Sequence, residues 1–215
     1  GSEMCIRDRQ YYDAVHGYDL RNELYRIAQW SGLHSIKIKN YNHHLSHAAA
    51  GFQTSPYKDA TVVVIDAIGE WDTISIWHAY YDNATGRAKY QKLWGQKYPH
   101  SIGLMYSAFT QHVGLKPLDE EYILMGMAGW GKYDSIRQLR LNHSVVADDQ
   151  DIKFKHNFHL GLPDDIVLPS KPEDVAYAAQ ELTEELISSI MIKAQKLGTS
   201  NNLVYMGGVA LNCSA

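Results

Sequence analysis

The run Ala60-Thr61-Val62-Val63-Val64-Ile65-Asp66 most constrains what this chain can fold into. Five consecutive β-branched residues suit a pleated strand, and apolar side chains at successive positions leave neither face for water. Such a segment reads as a central strand buried on both faces, so other elements must cover each side of its sheet. Thr73 to Tyr81 follows, with Ile74, Ile76 and Trp77 among polar residues, and reads as a second strand. Asn83-Ala84-Thr85-Gly86 is a turn signal before a third strand at Arg87 to Trp94. Three strands in hairpin order make a meander. Between the first two, Asp66-Ala67-Ile68-Gly69-Glu70-Trp71 is expected to be a turn, opened by an acid and holding a glycine. Backbone N–H groups in such a turn can bind phosphate, and many such turns are only turns.

The covering elements are helices. Residues 10–31 carry Tyr12, Val15, Leu20, Leu24, Ile27, Ala28 and Trp30 at helical spacing and stop at Gly32. Ser35 to Lys39 alternates isoleucine with lysine, as a short strand would. Ser101 caps a helix that closes at Gly114, with Leu104, Met105, Ala108, Phe109 and Val113 on its core face. The segment from Glu120 to Gly131 holds three glycines and reads as a loop closely approached by backbone or ligand. Residues 146–170 are polar and turn-rich, with a strand fragment at Ile152 to Phe154, and are expected to connect two lobes. Ser170-Lys171-Pro172-Glu173 is a capping-box signal for a long helix that Gly198 closes. Leu203-Val204-Tyr205-Met206 is a strand, and Gly207-Gly208 then opens an expected helix, an arrangement that can present N–H groups to phosphate.

Composition narrows the function classes. A net charge of −4 over 215 residues argues against broad electrostatic binding of nucleic acid. The two cysteines, Cys5 and Cys213, form neither a disulfide framework nor a thiolate metal site. No apolar run reaches membrane-spanning length and no secretory signal is visible, so a cytoplasmic protein is expected. Gly1-Ser2 resembles a cloning scar and residues 3–9 resemble translated sequencing-adapter sequence; residues 1–9 are set aside from fold reasoning. The expected organisation is an incomplete first lobe over 10–145, a connection over 146–170 and the start of a second lobe over 171–215.

Chemistry concentrates in Asn42-His43-His44-Leu45-Ser46-His47-Ala48-Ala49-Ala50-Gly51-Phe52. On a helix, positions four apart lie on one face, so His43 and His47 can converge on one cation. Two imidazoles suit iron or zinc and call for a carboxylate, and Asp66, at the end of the central strand, is the nearest candidate. The alternative is that these histidines are surface or hydrogen-bonded core residues. His44 and His100 are candidates for a general base, with a structural role as the alternative for each.

Four ordered motifs over residues 30–215 together resemble those of O-carbamoyltransferases of the nodulation and antibiotic-tailoring type. They are Asn42 to Ala49, Asp66 to Trp71, Pro99 to Tyr106 and Gly207 to Cys213. The resemblance implies an α/β, actin/Hsp70-like (ribonuclease-H-like) fold of two lobes around a nucleotide cleft, incomplete here at both ends. It implies that a separate adenylate-forming domain makes carbamoyl adenylate from carbamoyl phosphate and ATP. The actin-like domain then passes the carbamoyl group to an acceptor hydroxyl. By motif, His43, His47 and Asp66 would bind a divalent metal, iron first, with zinc, manganese or cobalt compatible with the same ligands. Gly69 would lie near the adenylate phosphate, and Gly207, Gly208 and Asn212 in the nucleotide cleft. The chain departs from the family at Ile123, where relatives usually carry lysine, and at Gly129-Trp130, where they carry a proline-aromatic pair. Other readings are a relative of the tRNA threonylcarbamoyl-transfer protein, an actin-like sugar kinase with no use for the histidines, and a non-catalytic scaffold fragment.

Overall fold

The computed structural model describes residues 26–32, 41–132, 144–147, 151–164 and 166–215. The strand expected at Ser35 to Lys39, and all of the helix expected over 10–31 except residues 26–30, lie outside these residues; residues 26–30 are helical.

In chain order the elements are α1 (His43–Thr54), β1 (Asp59–Gly69), β2 (Asp72–Tyr81), β3 (Ala88–Lys97), α2 (Ile102–His112), α3 (Glu121–Ala128), β4 (Ser144–Ala147), β5 (Asp151–Phe154), α4 (Pro172–Leu197) and β6 (Leu203–Met206). Single 3-10 turns occur at Phe158–Leu160 and Gly208–Leu211. A four-stranded mixed sheet has the order β3-β2-β1-β6, antiparallel across β3-β2-β1 and parallel between β1 and β6. The β-branched run is the inner strand its composition requires.

The two faces of β1 explain its lack of alternation. Val63 and Ile65, with Ile74 and Ile76 of β2, face a core filled by α2 and α4, including Phe109, Leu182, Leu186 and Ile190. Val62 and Val64, with Trp77 and Ala79, face the other way onto Ala48 and Phe52 of α1. Helix, sheet and helices thus form three layers. Asn42 caps α1, its Oδ1 accepting the Leu45 N–H at 3.0 Å, and the helix ends at Thr54 ahead of Pro56. Ser101 caps α2 in the same way through the Leu104 N–H.

Several expectations are corrected. The segment from Glu120 to Gly131 is mostly the helix α3, which lies on α4 with Leu124 and Ala128 buried. The cost of one glycine in a helix, about 1 kcal/mol, is outweighed by full burial of Leu124, about 1.5–3 kcal/mol. Gly126 stands in open space, whereas Gly131 is the glycine closely approached, by Glu173 and Tyr177 of α4. The capping box does not form: Lys171 is the N-cap of α4 and gives no side-chain bond, although Pro172 does occupy the first turn and Gly198 the end. After Gly207-Gly208 comes a four-residue 3-10 turn in place of an α-helix.

The strand fragment expected within 146–170 is present as β5. Ile152, Phe154 and Phe158 bury into the same core as α2 and α4, and β6 joins β1 in one sheet. Residues 171–215 therefore contribute α4 and β6 to the core and sheet described here. No helix among the described residues is long and apolar enough to cross a membrane.

Candidate metal centre

The first turns of α1 meet the C-terminal end of the inner strand β1. The pairing of β1 with β2 is regular to Ile65↔Ile74 and resumes at Gly69↔Asp72, so Asp66, Ala67 and Ile68 bulge out of register opposite Thr73. The expected turn over 66–71 is thus a continuation of the strand, with Glu70 and Trp71 as the only turn residues. Bulges re-aim side chains. Here the Asp66 carboxylate is half-buried below α1: Oδ1 accepts the Ala67 N–H at 2.8 Å and Oδ2 faces two imidazoles.

Those imidazoles are His43 and His47, one helical turn apart. The His43 Nε2 lies 2.7 Å from Asp66 Oδ2, the His47 Nε2 lies 3.2 Å from the same oxygen, and the two nitrogens are 3.1 Å from each other. An imidazole nitrogen carries one in-plane proton or one lone pair, so it cannot serve two partners well. Three ligand atoms converging on one point fit a shared cation better than a hydrogen-bond network. The dimensions agree: bonds of ~2.1 Å at right angles put ligand atoms ~3.0 Å apart. Among the described residues this is the one His/Cys/Asp/Glu group that meets such a spacing. Both histidines keep 31% of their side-chain surface exposed, so an ion can reach them from solution.

Electrostatics favour the charged carboxylate. Burial opposes ionisation of Asp66, but the His43 hydrogen bond, the Ala67 N–H and the charges of His43 and His47 outweigh it and hold the carboxyl at about 2. The Asp66 hydrogen bond raises His43 above its usual value against the opposing effect of burial, helped by the charges of Asp66 and Glu70.

The other candidates fall into two groups. Gly69 and the Gly207-Gly208 pair are at the centre. A Cβ at Gly69 would stand 2.5 Å from Cδ2 of both His43 and His44, so the β1 backbone passes directly under the rings. Gly207, with φ of 98°, packs on the Ile65 backbone, and a Cβ at Gly208 would lie 2.9 Å from Asp66 Oδ1. Gly208 thus lies against the carboxylate and Gly69 against the imidazole that faces it.

The remaining three are committed elsewhere. His44 is fully buried, its Nδ1 is 2.7 Å from the Ser75 hydroxyl, and burial pushes it down to about 4. A neutral ring with no exposed surface does not meet an acceptor hydroxyl. The Nδ1 of His100 accepts the Phe154 N–H at 3.1 Å and so anchors β5. The Asn212 amide pairs reciprocally with that of Gln180 at 2.8 and 3.0 Å, and Gln180 also accepts from the Tyr106 hydroxyl at 2.9 Å. Sequence reasoning missed Ser75 under His44 and Glu70 beside Asn42; Asn42 itself was signalled by its place just ahead of the helix.

Comparison with known proteins gives these motifs a context. The chain is 34% identical over 194 residues to an uncharacterized protein of Synechocystis sp., covering 80% of this chain and 30% of that protein. It is 28% identical over 163 residues to an uncharacterized protein of Methanocaldococcus jannaschii, covering 72% and 26%. A second uncharacterized protein of that organism is 23% identical over 221 residues, covering 95% and 40%. The chain thus spans about a third of the length of these curated relatives. The family model described as carbamoyltransferase N-terminus matches residues 4–215, reaching upstream of the motifs that carried the resemblance. With a match across nearly its whole length, the chain belongs to the carbamoyltransferase N-terminus family.

Proposed function

We propose that this chain is the metal-bearing part of an O-carbamoyltransferase. In this reading a carbamoyl group moves from carbamoyl adenylate, made elsewhere from carbamoyl phosphate and ATP, to a hydroxyl of a small molecule or sugar. The observation that carries it is the convergence of His43, His47 and Asp66 within 3.2 Å of one another. The fold proposed for the whole protein is actin-like, with two lobes around a cleft, and the α/β sheet described here would form one of them.

His43, His47 and Asp66 would hold the cation, iron first among the ions that two imidazoles and a carboxylate accept. When bound, it supplies Lewis-acid character, gripping a phosphate or polarising a carbonyl. The chain's own residues do the rest. Asp66 is fixed through Ala67 and stays ionised, which keeps the carboxylate ready to ligate at neutral pH. Gly69 and Gly208 carry no side chain where the imidazole rings and the Asp66 carboxylate sit, so the backbone can lie directly against these groups. The buried His44 packs under the site, and no base is assigned among the histidines.

The test is metal content by elemental analysis on the purified protein and on a His43→Ala/His47→Ala double variant. Near-stoichiometric iron or zinc in the first and none in the second supports the reading. Equal metal in both would remove these histidines from the site.

A further inference from the structure

The ligands come from two elements, so something must set the distance between α1 and the bulge of β1. The Asn42 side chain does two things at once. Its Oδ1 accepts the Leu45 N–H at 3.0 Å as the helix cap, which turns Nδ2 away from the helix. That nitrogen donates to Glu70 Oε2 at 2.9 Å. Both ends are tightly placed: Asn42 adjoins His43, and Glu70 follows Gly69, whose backbone lies against the His43 and His44 rings. Glu70 also has φ of 59°, in the left-handed region that a glutamate seldom occupies. A neutral amide fits this place because one of its atoms must accept and the other must donate.

We propose that the Asn42–Glu70 pair is a positioning clasp for the metal site, tying the histidine helix to the strand end that bears Asp66. It rests on the metal reading above and adds two residues that hold the ligands without touching the ion. Metal sites tolerate displacements of only ~0.5 Å before affinity suffers, and loss of a supporting hydrogen bond commonly costs about 10–100-fold.

Four proteins test it: wild type, Asn42→Asp, Glu70→Gln and the double variant, each titrated with Co(II) and followed by visible absorption. Aspartate caps a helix as well as asparagine, but it sets a carboxylate against Glu70. The clasp predicts about 10–100-fold weaker binding for Asn42→Asp. Charge alone predicts the opposite, since an added carboxylate beside a cation tightens binding. Glu70→Gln should bind nearly as wild type, because glutamine can still accept from Asn42. The double variant should recover binding, with Gln donating to the second oxygen of Asp. Binding by Asn42→Asp as tight as wild type, or a double variant no better than Asn42→Asp, overturns the proposal. Urea unfolding of the same four metal-free proteins reads the clasp separately. If the wild type takes up no cobalt, the metal reading fails; non-additive unfolding energies would then still uphold the clasp, and additive ones would overturn it.

Discussion

At the scale of single residues, three neighbouring groups pull stability in different directions with pH. His44, unexposed and pushed down to about 4, stays neutral in the fold while the unfolded chain takes up a proton near 6.5. Stability is therefore unaffected above pH 6.5 and falls as pH drops from 6.5 toward 4, by roughly 3 kcal/mol. His100, lowered chiefly by burial, acts in the same sense. His43 is raised, so its contribution is fully present below 6.5 and is lost as pH rises through its folded value. Metal-free protein should be most stable near pH 6.5, as read from urea midpoints across pH, and His44→Gln should flatten the acid limb. Asp66, held at about 2, adds stability above its unfolded value near 3.9 that is lost only in strong acid. A second expectation concerns Gly69: alanine there would press on both imidazoles, so it should cost about 1–3 kcal/mol and weaken metal binding together, by unfolding and cobalt titration. The convergence of His43, His47 and Asp66 was legible in the sequence because four-residue spacing and a strand-end acid are local signals. The Asn42–Glu70 bond was not, since it depends on how far β1 runs beyond Asp66.

Among the elements, α1 packs on the sheet through Ala48 and Phe52, and Phe52 is the larger of the two. It is fully buried, and its ring lies 5.1 Å from that of Tyr81 and 6.0 Å from that of Tyr90. Phe52→Ala should cost about 3–5 kcal/mol, and the same variant should lose metal affinity because the helix that presents His43 and His47 loosens. An unfolding midpoint that drops while affinity stays fixed would separate helix packing from ligand placement. The meander and the capped helices could be read from turns, caps and periodicity. α3 could not, because glycines at 126, 129 and 131 masked a short apolar stripe that matters only once α4 lies beneath it. The bulge in β1 was equally hidden: nothing in Asp66-Ala67-Ile68 marks it, and it arises from how β2 is paired.

For the molecule as a whole, β6 pairs with β1 across more than 130 residues, and α4 shares its core with α2. Sequence order suggested two lobes because long-range pairing leaves no local signature. One shared core predicts that tryptophan fluorescence and far-ultraviolet circular dichroism report a single coincident unfolding transition; two resolved transitions would show that the core is divided. Asn212→Ala should cost about 1–3 kcal/mol by removing both of its hydrogen bonds to the Gln180 amide, measurable in the same experiment. The Gly207-Gly208 contact with Asp66 has a consequence in time. All three candidate ligands lie between residues 43 and 66, whereas the glycines that pack against the carboxylate come about 140 residues later. A chain synthesised from its N-terminus can gather His43, His47 and Asp66 while most of the protein is still unmade. The three candidate ligands would then be together before the glycines that pack against Asp66 are made.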